Sequence, residues 1–225
     1  MKPTELTLQT IIFNLRIQEN ELHLFRGAII HLAGLEEILF HNHIEDGYRY
    51  SYPLIQYKII QGHAAIICLE KGIEEVKNVI QKCPLTIKLG VKEKELDILS
   101  LVKSKQSLLS LSTPAIYELY RWLPLNSNNY ERFQHANGLK EKVEILENIL
   151  TSNILSCLKG LHIFWEKEIS CHILTLSEPY PIYNKHTRMI GFNLSFSCNI
   201  SLPEFIGIGK NASIGCGILI KRSLS

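Results

Sequence analysis

Pro53-Leu54-Ile55-Gln56-Tyr57-Lys58-Ile59-Ile60-Gln61-Gly62-His63-Ala64-Ala65-Ile66-Ile67-Cys68-Leu69 sets two apolar runs on either side of a Gln61-Gly62 step. Proline opens the first run, which ends at Ile60, and the second covers residues 64–69, so the stretch reads as strand, turn, strand. Upstream, residues 6–15 are rich in Leu, Ile, Phe and Thr and read as an earlier strand. Residues 21–33 place Leu22, Phe25, Ile29 and Leu32 on one helical stripe, with Gly34 as its stop. Downstream, residues 73–82 suit a short helix, and Pro84 opens an extended segment over 85–89. Strand, helix, strand, strand, helix, strand is the ferredoxin-like order.

The second half is less regular. Extended stretches at 97–102 and 108–111 precede residues 113–134, which are rich in Tyr, Asn and Pro and read as irregular. Residues 139–158 give the clearest helix, with apolar side chains at 139, 143, 146, 150, 154 and 158 and Gly160 at its end. Strands are expected at 163–176, 189–200 and 214–220. These elements make a second α+β unit, with the boundary near residue 90, so that the domains are 1–90 and 91–225. No repeat of sequence links the two halves.

The 225 residues, 46% hydrophobic and 20% charged, exclude a disordered chain and suit one large or two small globular domains. No apolar run approaches the roughly 20 residues that span a bilayer. Met1-Lys2-Pro3-Thr4-Glu5-Leu6 lacks the features of a secretory leader, so a cytoplasmic protein without membrane contact is expected. Cysteines 68, 83, 157, 171, 198 and 216 contain no Cys-x-x-Cys pair, which argues against structural zinc and for buried thiols in a reducing compartment. Charge is uneven: residues 185–225 carry +4 and the preceding 184 carry −2. A basic end on a near-neutral body hints at a polyanionic partner.

Two segments hold the residues that can do chemistry. Gly207-Ile208-Gly209-Lys210-Asn211-Ala212-Ser213-Ile214-Gly215-Cys216-Gly217 brackets a basic and polar middle between Gly-x-Gly pairs, just before the last apolar strand. Glycines admit positive φ and close backbone approach, and exposed amides can cradle phosphate. The alternative is a glycine-rich hairpin or bulge, and neither common nucleotide motif fits, for want of a Gly-Lys-Ser/Thr ending or a following helix. The second segment, residues 39–58, gathers His41, His43, Tyr48, Arg49, Tyr50 and Lys58. Histidine exchanges protons near neutrality, and tyrosine hydrogen-bonds or stacks on bases. No neighbouring Cys or acidic pattern completes a metal site around His41 and His43. The alternative is a polar loop with solvated histidines.

With Phe25-Arg26-Gly27-Ala28, these segments resemble the CRISPR-associated endoribonucleases of the RAMP superfamily, which process repeat RNA. The resemblance also runs through Asn153-Ile154-Leu155-Ser156 and Leu202-Pro203-Glu204-Phe205. It implies two tandem ferredoxin-like (RAMP/RRM-like) domains of the α+β class. It also implies cleavage of CRISPR repeat RNA without metal or cofactor, leaving 2′,3′-cyclic phosphate and 5′-hydroxyl ends. By the resemblance His41 and His43 are the catalytic candidates. Tyr48 and Tyr50 assist or position, and Lys58 and Arg49 stabilise charge. Gly207, Gly209, Lys210, Gly215 and Gly217 contact the RNA backbone, with Arg26 as a further contact. Repeat RNA and a CRISPR effector complex are the implied partners, for a monomer or homodimer. The glycine segment alone would also fit a non-catalytic RNA-binding RAMP subunit.

Overall fold

The computed structural model describes residues 4–34, 43–44, 47–48, 52–81, 85–184 and 187–222. Internal contacts divide the chain into two units. The N-terminal unit is Glu5–Gln106 together with Ser213–Gly215, and the C-terminal unit is mainly Ser107–Ala212 with residues 216–222. No described helix is long and apolar enough to cross a membrane.

In the N-terminal unit, β1 (Thr4–Arg16) and α1 (Leu22–Ala33) lead to a ribbon of two short strands, β2 (His43–Ile44) and β3 (Gly47–Tyr48). After the ribbon come β4 (Ile55–Ile60) and β5 (His63–Leu69). Gln61 (φ 52) and Gly62 (φ 79) are both left-handed, the conformation that lets a two-residue turn match the twist of β4 and β5. Next come α2 (Lys71–Ile80) and β8 (Ile98–Leu108), and the sheet runs β4-β5-β1-β8. With β1, β4, β5 and β8 as first to fourth strands, this is the ferredoxin-like order. Its core includes Ile11, Phe13, Phe25, Ile29, Tyr57, Ile66 and Val76. Phe25 stands edge-on to both Phe13 (5.8 Å) and Tyr57 (5.9 Å), which locks α1 to the sheet. Each such side chain contributes about 1.5–3 kcal/mol by leaving water.

The fourth strand is not the one the sequence suggests. The expected strand at 85–89 forms instead as β6 (Thr86–Leu89), in a separate hairpin with β7 (Lys92–Glu95) that turns at Gly90. β7 reads Lys-Glu-Lys-Glu and is exposed throughout, so this hairpin cannot extend the apolar sheet. β8 takes the place beside β1, and Asn14 clamps its start through paired side-chain and backbone bonds to Asp97. Because β8 belongs to this sheet, the chain divides between Gln106 and Ser107 rather than near residue 90.

The C-terminal unit comprises β9 (Ser110–Trp122), α3 (Ser127–His135), α4 (Gly138–Gly160), β10 (Cys171–Leu176), β11 (Tyr180–Asn184), β12 (Thr187–Ile200) and β13 (Ile218–Lys221). Its sheet runs β10-β12-β9-β13, with β11 pairing further along β12. Taking β9, β10, β12 and β13 as first to fourth strands gives the same order as in the N-terminal unit. α4 buries Leu146, Leu150, Ile154 and Leu158, as its periodicity predicts, but Leu139 in its first turn is 71% exposed. Residues 113–134, expected to be irregular, form most of β9 and nearly all of α3. The strand expected at 163–176 is confined to β10, and that expected at 214–220 narrows to β13. Instead, Ser213 and Ile214 pair with Tyr57 in the N-terminal unit, whose N–H donates to the Ser213 carbonyl at 2.8 Å. Cys68, Cys157, Cys171, Cys198 and Cys216 are buried free thiols; Cys171 and Cys198 face each other in register, with Sγ atoms 3.4 Å apart.

Candidate functional site

Strand β4 anchors the histidine segment from its C-terminal side. It is fully buried over residues 55–58 and forms one edge of the N-terminal sheet. β2 and β3 pair antiparallel, with His43 opposite Tyr48 and Ile44 opposite Gly47. A histidine and a tyrosine on either side of Glu45-Asp46 are thus brought to one rung of a ribbon. His41, Arg49 and Tyr50 lie outside the described residues.

Lys58 is 1% exposed. An amine so far from water needs polar partners within the fold. Beside it in β4, burial pushes the Tyr57 hydroxyl far above its ordinary value, and Arg26 opposes that shift. The half-buried Arg26 of α1 is therefore within electrostatic reach of the strand that carries Lys58. His23 and His31 are exposed on α1, while the His63 ring lies 3.1 Å from the Phe13 carbonyl, a bond that fastens β5 to β1.

The glycine segment replaces a helix. Between β12 and β13 the chain buries Ile206, Ile208, Ala212 and Cys216 without regular structure. Gly207 bridges Ile218, Ile208 N–H donates to the Gly217 carbonyl at 2.7 Å, and Gly217 N–H donates to that of Arg121 at 3.0 Å. Gly209 has φ +87, and a Cβ there would stand 2.6 Å from Asn153 Oδ1 and 3.1 Å from Trp122 Nε1. Gly217 has φ +61, and a Cβ would stand 2.8 Å from the Ile208 carbonyl carbon and collide with its oxygen. Gly207 is crowded by Ala212, and Gly215 by the Leu22 side chain within the N-terminal unit. Internal packing therefore accounts for glycine at these positions, as the hairpin alternative requires. Packing does not account for the exposed Lys210.

Residues outside both segments hold the glycine segment in place. Trp122, fully buried at the end of β9, donates its indole N–H to Asn153 Oδ1 of α4 at 3.0 Å, and Gly209 lies against both. Asn153 stands out in the sequence, but nothing there pairs it with Trp122, which lies in a stretch without a legible motif.

A family model described as the Cas6b N-terminal domain matches residues 4–107, and one described as the Cas6b C-terminal domain matches residues 110–222. Among solved structures, a crystal structure of Cas6b superposes with a TM-score of 0.88 at 25% identity, over 97% of this chain and all of that one. A structure of the CRISPR RNA processing endoribonuclease Cas6b gives 0.74 at 24% identity, again over 97% of this chain and all of the other. An uncharacterised protein of Methanocaldococcus jannaschii is 34% identical over 100 residues, covering 44% of this chain and 67% of that protein.

Proposed function

The chain belongs to the Cas6b family, and on that premise we propose that it cleaves CRISPR repeat RNA without metal, leaving a 2′,3′-cyclic phosphate and a 5′-hydroxyl. The observation that supports this most is the rung of the β2–β3 ribbon, where His43 is set opposite Tyr48. In-line attack by a 2′-oxygen requires a base to take its proton, an acid to protonate the departing 5′-oxygen, and positive charge at the phosphate. His43 and His41 are the proton-transfer pair in this reading, and Tyr48 and Tyr50 align the phosphate. Arg49 contacts the phosphate directly. Lys58, with Arg49, stabilises the charge that develops on the phosphate. Lys210 and the glycine segment, with Arg26, hold the RNA backbone, in a terminal region of net charge +4.

The test is cleavage of the cognate repeat RNA in excess EDTA. Full activity is expected, with a cyclic phosphate on the upstream product, and a 2′-deoxy substitution at the cut site should abolish cleavage while binding persists. Activity lost in EDTA and restored by magnesium or manganese would overturn the mechanism. Tight binding with no cleavage at all would favour the non-catalytic RNA-binding subunit.

A further inference from the structure

Next to Gly209, within the C-terminal unit, lies an open recess of about 350 Å³ that the roles above touch only through Lys210. Lys210 and Arg132 reach it from the glycine segment and from α3, Asn126 and Asn153 line it, and Leu123 and Ile145 contribute apolar surface. Neither cation is in an ion pair among the described residues.

The two asparagines are oriented by bonds already made. An indole N–H can only donate, so the Trp122 bond fixes Oδ1 of Asn153 and leaves Nδ2 as the group it can offer a ligand. Asn126 caps α3 by accepting the Asn129 N–H at its Oδ1, at 2.8 Å, and is likewise left with Nδ2. The recess therefore combines two positive charges, two oriented amide donors and apolar walls. Its volume is at the lower end of the range for small-ligand sites, which suits one nucleotide.

We propose that this recess holds a single unstacked nucleotide of an RNA strand, with Arg132 and Lys210 on its phosphate and the Nδ2 groups of Asn126 and Asn153 on base carbonyl oxygens. Two amide donors match best the paired carbonyls of uracil, and match poorly the edge of adenine, where an exocyclic amino donor stands beside each ring-nitrogen acceptor it flanks. The assignment of the strand to repeat RNA rests on the function proposed above. The base preference does not.

The experiment compares binding of oligouridylate and oligoadenylate of equal length by the full chain and two variants. Asn126→Ser keeps an oxygen for the α3 cap but removes the amide donor, so the helix survives the test. The wild type should bind oligouridylate about tenfold more tightly than oligoadenylate, and Asn126→Ser should reduce that difference several-fold. Arg132→Ala should weaken both about equally and flatten the salt dependence by about one unit of log–log slope. A wild type without preference, or an Asn126→Ser variant that keeps it undiminished, overturns the proposal. Displacement of oligouridylate by micromolar uridine monophosphate would also overturn it, since the recess would then be a site for free nucleotide. Repeat cleavage by the wild type is measured separately, so this proposal and the nuclease reading can fail independently.

Discussion

The two units share one strand order and differ in how the chain travels from the third strand to the fourth. In the N-terminal unit that connection includes α2, which buries Ile73, Val76 and Val79. In the C-terminal unit it is the segment between β12 and β13, which buries Ile206, Ile208, Ala212 and Cys216 with no helix. The fold asks this connection for apolar side chains at its inner positions, and a helix is one way of providing them. A helix satisfies its own backbone; the glycine segment instead takes bonds from β9, β13 and itself, and needs positive φ and missing side chains to do so. The same contrast bears on the proposed roles, with proton transfer carried by the N-terminal unit and Lys210 of the glycine segment binding the RNA backbone from the C-terminal one.

The largest effect that would break this comparison is on stability. Gly217→Ala places a Cβ against the Ile208 backbone at positive φ, and should destabilise the C-terminal unit by at least about 3 kcal/mol. Urea unfolding followed by tryptophan fluorescence reads that unit alone, because Trp122 and Trp165 both belong to it. An unchanged midpoint would mean the segment is loosely held. A smaller effect is expected in binding. Lys210→Ala should flatten the salt dependence of RNA affinity by about one unit of slope, whereas Lys77→Ala on α2 should leave it unchanged. Equal slopes for the two variants would remove the distinction between the connections. The smallest effect is expected at Glu74→Ala on α2. Its ion pair with Lys77, at 3.3 Å, is largely exposed, so urea unfolding followed by circular dichroism should shift by no more than about 0.5 kcal/mol.

Much of this architecture is legible in residue order, because α1, α2 and α4 carry apolar stripes at helical spacing and β1, β4 and β5 are apolar runs. β9 is not, and Pro114 is the reason. It falls at the register shift between Ala115 and Ser110, in a stretch that β13, paired only at residues 117–120, does not reach, and there a missing N–H costs the sheet no bond. α3 is hidden for a different reason. Phe133 is its one buried residue, so it has no apolar stripe, and its start is marked only by the Asn126 cap. The candidate site divides in the same manner. Histidines, tyrosines and glycine pairs announce themselves as residue types, but the pairing of His43 with Tyr48 depends on strand register. The bond from Trp122 to Asn153 joins residues 31 apart, which no local spacing reveals.

The central claim is that the histidine ribbon cuts and the glycine segment holds. Single-turnover cleavage of repeat RNA, measured as protein concentration rises, tests both at once through its plateau rate and its half-saturating concentration. Replacing His41 and His43 together with Ala should lower the plateau by about 10²–10⁴-fold and leave half-saturation in place. Lys210→Ala should move half-saturation to higher protein concentration and leave the plateau in place. A histidine variant with a wild-type plateau, or a Lys210→Ala variant that lowers the plateau without moving half-saturation, would contradict the account.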